Sequence, residues 1–186
     1  MKKAFPIALI LFGVILLAGG GYTLSRGFDA RSDIKAELVA QNITTPEDAS
    51  MPNVRVDSAA TAKSMAAIIN THALESSGGA TYSEMGRFMS KDGAPEGTSN
   101  ATDAVIGADG KPVANALRNT AFQASALRTS LLTSVMAFGV TDLILGLGLL
   151  ILALGLAVAG VGVALAGLAI PAFSRKFHVE PVAANA

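Results

Sequence analysis

The sequence predicts an all-α membrane protein in which two transmembrane helices extend into a small helical extracytoplasmic domain. Three observations predict it. A charge-free apolar run lies near each end of the chain, basic residues sit just outside both runs, and small residues recur at seven-residue spacing inside them.

The first run follows Met1-Lys2-Lys3 and extends from Ala4 to Leu24. About 20 residues at roughly 1.5 Å each cross a hydrocarbon core of about 30 Å. A basic start before an apolar stretch also marks a cleaved signal peptide. This run is longer than a signal core, and Ala18 to Tyr22 is not a clean cleavage site, so residues 1–24 are expected to stay as an anchor. The second run, Leu143 to Ile170, ends at Pro171 and is followed by Arg175 and Lys176. As one helix it spans about 42 Å, and tilt or protrusion absorbs the excess. A hairpin of two short spans would leave each arm too short, with no polar turn between them.

Basic residues next to a membrane segment are retained on the cytoplasmic side. Lys2, Lys3, Arg175 and Lys176 therefore place both termini in the cytoplasm and the intervening chain outside. Arg26 and Arg31 argue the other way, but Asp29 and Asp33 accompany them and two spans require the termini to share a side. The expected organisation is an anchor at 1–24, an extracytoplasmic helical domain at 25–130 with a loop at 91–111, a transmembrane helix at 131–171 and a cytoplasmic tail at 172–186. Asp142, at the edge of the second run, is expected at the outer interface, where it stays hydrated rather than marking an ion path.

In lipid, helices associate where small residues let backbones approach. Gly148, Gly155 and Gly162, with Ala159 and Ala166 on nearly the same stripe, form such a seam, and Gly13 and Gly20 share its spacing. The stripe joins the two spans to each other or to a partner, a membrane protein or a second copy of this chain.

Between the spans, Ser25 to Asn42 keeps a helical pattern, so the first membrane helix should run on into water. Thr44 to Asp48 reads as a turn or a short capped helix opened by Pro46. A helix from Asp57 or Ser58 to Glu75 should stop at Ser76-Ser77-Gly78-Gly79. Thr81 and Glu84 have capping-box spacing ahead of Met85, Phe88 and Met89, which predicts a second short helix and thus a helical hairpin. Lys91 to Lys111, rich in Gly, Asp, Ser, Thr and Asn, should be the most mobile loop, with a brief hairpin at Ala108 to Gly110. Pro112 opens a long pattern through Leu117, Phe122, Leu127 and Leu131 into the second span. So small a domain, without disulfides, has a thin core.

Composition excludes several functions. The 14 basic and 14 acidic residues balance, and the middle region has no basic cluster of the kind a nucleic-acid binder needs. With no cysteine, thiolate metal sites, thiol catalysis and lipid-modified cysteine are excluded. The only two histidines, His72 and His178, fall on opposite sides of the membrane in the expected topology, so they cannot share a metal, and neither an iron triad nor catalytic zinc can be built. No Gly-x-Ser-x-Gly elbow occurs, and the glycines of both spans are packing devices. Glu75 and Glu84 flank a turn and read as solvated or capping groups. No enzymatic activity and no cofactor are expected. An apolar pocket lined by Phe28, Met65, Ile69 and Phe122 would suit a lipid or another hydrophobe.

Three stretches carry a resemblance: Ile68 to Glu75 with Gly78 to Tyr82, Gly110 to Asn119, and Leu127 to Gly139. Through them the chain resembles small actinobacterial membrane proteins called aromatic ring-opening dioxygenase-like. The resemblance covers most of the chain and implies two spans in a bacterial plasma membrane. It brings no catalytic residue with it, because iron-dependent ring opening needs convergent histidines that this chain lacks. The resulting expectation is a non-enzymatic accessory or scaffold subunit of a larger membrane assembly, in contact with membrane lipids. An envelope lipid or small-hydrophobe binding protein is the alternative.

Overall fold

A computed structural model describes residues 4–169. Lys2, Lys3, Pro171, Arg175, Lys176 and His178 lie outside the described residues. Three helices follow in order: α1 (Ala4–Ala40), α2 (Ala59–Ser76) and α3 (Ala116–Ala169). Among the described residues there is no strand, only isolated antiparallel bridges. At 37 and 54 residues, α1 and α3 are about 55 and 81 Å long, and both are long and apolar enough to cross a membrane.

By contacts the chain divides into two units, residues 1–31 with 141–186, and residues 32–140. The first unit holds the charge-free parts of α1 and α3. Only 17% of the most apolar stretch of α1 and 11% of that of α3 is buried. Apart from Ala166, what is buried repeats every seventh residue: Pro6, Gly13, Gly20 and Gly27 on α1, and Thr141, Gly148, Gly155 and Gly162 on α3. Large side chains such as Phe12, Ile15, Leu149 and Leu156 are exposed.

The second unit is built around α2. Ser58 caps its N-terminus in a reciprocal box with Thr61, and Ser77 closes its C-terminus, with Gly78 in the left-handed region at φ 69°. The helix therefore starts and stops where its cap residues predict. Leu38, Val56, Ala62, Ala66, Leu131 and Phe138 form the core. Its largest fully buried side chains are only Val56, Thr45 and Ser77. Hydrogen bonds supplement so thin a core. The buried Thr45 hydroxyl accepts from the Val54 amide (3.0 Å) and donates to the Met51 carbonyl (2.5 Å), fixing residues 44–48 as a turn. α1 ends at Ala40, Asn42 just beyond it lies in the left-handed region (φ 52°), and Arg55 donates to the Val39 carbonyl in the last turn at 2.8 Å.

The expected second helix is absent. Thr81 and Glu84 do bond as a cap, the Glu84 carboxylate accepting from the Thr81 amide (2.8 Å) and hydroxyl (2.7 Å), but no helix follows. The chain turns and becomes extended instead, so α2 has no hairpin partner of that kind. The Phe88 amide donates to Thr98, Met89 to Val113, and Val105 to Met89. Gly86 shows why: a Cβ there would lie 2.3 Å from Thr98 backbone, so only glycine lets the two strands of chain meet. Residues 91–111 are thus stitched to their neighbours, with the expected small hairpin at Gly107–Lys111 beside the Ile106–Pro112 bridge. α3 starts at Ala116 rather than Pro112, because Asn115 is its cap, accepting from the Leu117 amide at 3.1 Å.

Candidate functional site

In the first unit the small-residue stripes face each other. A Cβ on Gly13 would meet Ala159 backbone at 2.6 Å and the Gly155 carbonyl at 2.8 Å; one on Gly20 would meet Leu152 at 2.8 Å. Gly148, Gly155 and Gly162 lie equally close to Leu24, Leu17 and Ile10. Each step of seven up α1 matches a step of seven down α3, as an antiparallel pair requires. The stripe is thereby occupied within the chain. Ala166 is buried and Ala159 half-buried on the same side of α3. Three members were not recognised in the sequence: Pro6, whose carbonyl faces Gly162, Gly27, against Leu145, and Thr141. All three simply continue the seven-residue count. Where the charge-free runs end, Arg31 donates to the Asp142 carboxylate, so Asp142 is an ion-pair partner.

The second unit contains a groove of about 740 Å³. Its apolar walls come from Ile34 and Leu38 on α1, Met65 and Ile69 on α2, and Leu127 and Leu131 on α3. The helical periodicity puts these residues on facing sides of their helices. Ser130, Thr133 and Ser134 also line it, but each donates to the carbonyl four residues earlier in α3. Their hydroxyl protons are therefore already used, and the wall makes few polar demands on an occupant. Asp33 and Glu37, one turn apart on α1, are the titratable groups at the groove.

Of the four residues expected to line a pocket together, the structure brings Met65 and Ile69 into this groove. Phe28 belongs to the first unit and is exposed. Phe122 lines a different cavity, its ring 5.3 Å from that of Tyr82. The α3 contribution to the groove had no distinguishing signal in the sequence, since Leu127 and Leu131 look like any apolar positions of a helix.

His72 and Glu84 are engaged locally. His72 Nε2 is 2.6 Å from Asp48 Oδ2, and that hydrogen bond holds the Asp48 carboxyl below its usual range. The Thr81 hydroxyl and amide do the same for Glu84, so Glu75 and Glu84 do not act as a pair of free acids. Among the described residues no group of three or more His, Asp or Glu side chains converges to hold a metal.

The fold and site together define a class: a helical protein with two apolar helices of membrane-crossing length and, in its other unit, an apolar groove of ligand size. No protein family matches the chain, and neither a curated protein nor a solved structure is similar to it.

Proposed function

We propose that this is an integral protein of a bacterial plasma membrane that binds a lipid chain or similar hydrophobe, without catalysing a reaction. Both termini are cytoplasmic and residues 32–140 extracytoplasmic. The membrane reading rests on the exposure of Leu, Ile and Phe side chains over the charge-free parts of α1 and α3, where the buried residues are small and lie mainly along the glycine seam. In water such a pair would leave a very large apolar surface uncovered; in lipid it needs no other cover. The orientation rests on Lys2, Lys3, Arg175 and Lys176.

The observation that carries the binding reading is the groove at Met65, Ile69, Leu127 and Leu131. Its volume falls within the roughly 300–1,000 Å³ of small-molecule sites, and its walls are mainly apolar, with the α3 hydroxyls already bonded and Asp33, Glu37 and Gln41 as the polar groups on the α1 side. An accessory subunit is the second reading. It draws on Gly146, Gly160 and Gly167, which have open space around them on α3, as distinct from the filled seam.

The test is purification of the full chain from native membranes in mild detergent, followed by mass spectrometry of accompanying lipid and protein. A lipid bound stoichiometrically, and lost from a Ser130→Trp variant whose indole fills the groove, is the expected result. Delipidated protein showing no uptake of a fluorescent acyl chain would end the binding reading, and a stoichiometric protein partner would favour the second. Because the chain has no cysteine, single cysteines at Asp92 and Asp109 report sidedness cleanly. A membrane-impermeant maleimide should label both from outside.

A further inference from the structure

We infer a second, chemically opposite binding site in residues 32–140: a cationic pocket at the start of α3 that takes a phosphate monoester group. It goes beyond the groove reading and does not depend on it.

The pocket has a volume of about 340 Å³ and is lined by Arg87 and Arg118, the rings of Tyr82 and Phe122, and Asn115 and Asn119. Two arginines line it and no aspartate or glutamate does. Neither arginine takes part in any of the ion pairs among the described residues, whereas Arg26, Arg31 and Lys35 all have acidic partners.

Arg118 is held in place. Its Nε donates to the Met85 carbonyl at 3.1 Å, and its guanidinium carbon sits 4.4 Å from the centre of the Tyr82 ring. That ring in turn leans on Phe122 at 52°. A guanidinium bonded through Nε and stacked on one face keeps its Nη edge for another acceptor, and that edge has the spacing of two oxygens of one phosphate or carboxylate. Arg87, whose guanidinium carbon lies 5.8 Å from the Phe88 ring, is exposed and supplies a second positive group. Two arginines on one cavity favour a group with three acceptor oxygens and more than one negative charge, which a phosphate monoester has and a lone carboxylate or a diester lacks. The exposed ring of Phe122 offers a surface to the organic part of such an ester.

The framework is rigid where it must be. The buried Asn115 amide donates to the carbonyls of Glu96 (3.1 Å), Pro95 (3.3 Å) and Gly86 (3.4 Å) while its oxygen caps α3. This ties the loop carrying Arg87 to the helix carrying Arg118, so the two arginines stay on one cavity without a ligand to gather them.

The ester can come from a water-soluble compound or from a lipid headgroup, and two arms separate these sources. In the first, the full chain in detergent is titrated with glycerol 3-phosphate by calorimetry. In the second, native mass spectrometry counts phosphatidic acid bound to the full chain, with a diacylglycerol of the same chains as the control without phosphate. Binding in either arm should weaken at least tenfold in Arg118→Gln, and also in Arg118→Lys, which keeps the charge but not the fork. Arg87→Gln, which removes no hydrogen bond to the protein, should weaken binding with unchanged thermal stability, so a folding defect at Arg118 cannot hide the answer. A response in the first arm alone assigns a soluble ester; a response in the second assigns a lipid headgroup. Absence of binding in both arms, or equal binding by wild type and the Arg87→Gln protein, overturns the site.

Discussion

The two units reach close contact by opposite means. In residues 1–31 with 141–186, helices touch because side chains are missing: Gly13, Gly20, Gly155 and Gly162 meet backbone of the facing helix, Gly27 meets the Leu145 side chain, and no large residue is buried there. In residues 32–140, contact depends on polar side chains with particular partners, such as Thr45, Ser58, Thr61 and Asn115, around a core of few apolar residues. A seam made by omission tolerates no addition, whereas a hydrogen-bonded unit is vulnerable to removal.

Adding atoms to the seam should therefore have the largest effect. Gly13→Val places methyl groups where backbone of Ala159 and Gly155 already lies, and overpacking of this kind costs typically about 1–3 kcal/mol or more. The same change at Gly160, which has nothing within 4 Å, should shift stability by no more than about 0.5 kcal/mol. Thermal unfolding of both variants in one detergent checks this, and equal midpoints would break the comparison. Next comes removal in the other unit. Asn115→Ala takes the side-chain donor from the Gly86 and Pro95 carbonyls and uncaps α3, a loss of about 1–3 kcal/mol. Hydrogen exchange should rise at the amides of Gly86, Phe88 and Thr98 while residues 13–20 stay protected.

The smallest effect is a pH dependence. The folded Asp48 carboxyl titrates below its ordinary 3.8, chiefly through the His72 hydrogen bond. A depressed carboxyl contributes stability above its unfolded pKa and loses it as pH falls through the folded one. The difference in midpoint between wild type and Asp48→Asn should thus be constant at neutral pH and close only below about 3.8. A difference that instead persists at pH 2 would assign the effect to packing.

The same contrast explains what could be read in advance. The run of α1 past the first apolar stretch, the caps of α2 and the spacing of the seam all follow from local pattern, because each is a property of one helix or of a repeat. The fate of residues 81–115 was not local. Thr81 and Glu84 carry a true capping signal, and it was overridden by Gly86 meeting Thr98 and by Asn115 reaching three carbonyls up to 29 residues away. Met65 and Ile69 were recognisable as apolar positions, but the wall opposite them depends on how α3 packs. Phe122 has the same apolar character and packs on Tyr82 instead.

A seam with a constant repeat has one further property. Equally spaced glycines on both helices form a vernier that matches again after a slip of seven residues, about 10 Å along the axis, with most contacts re-formed. Packing alone leaves that registration nearly degenerate. The Arg31–Asp142 pair does not repeat, and it is the mark that singles out one alignment of the scale.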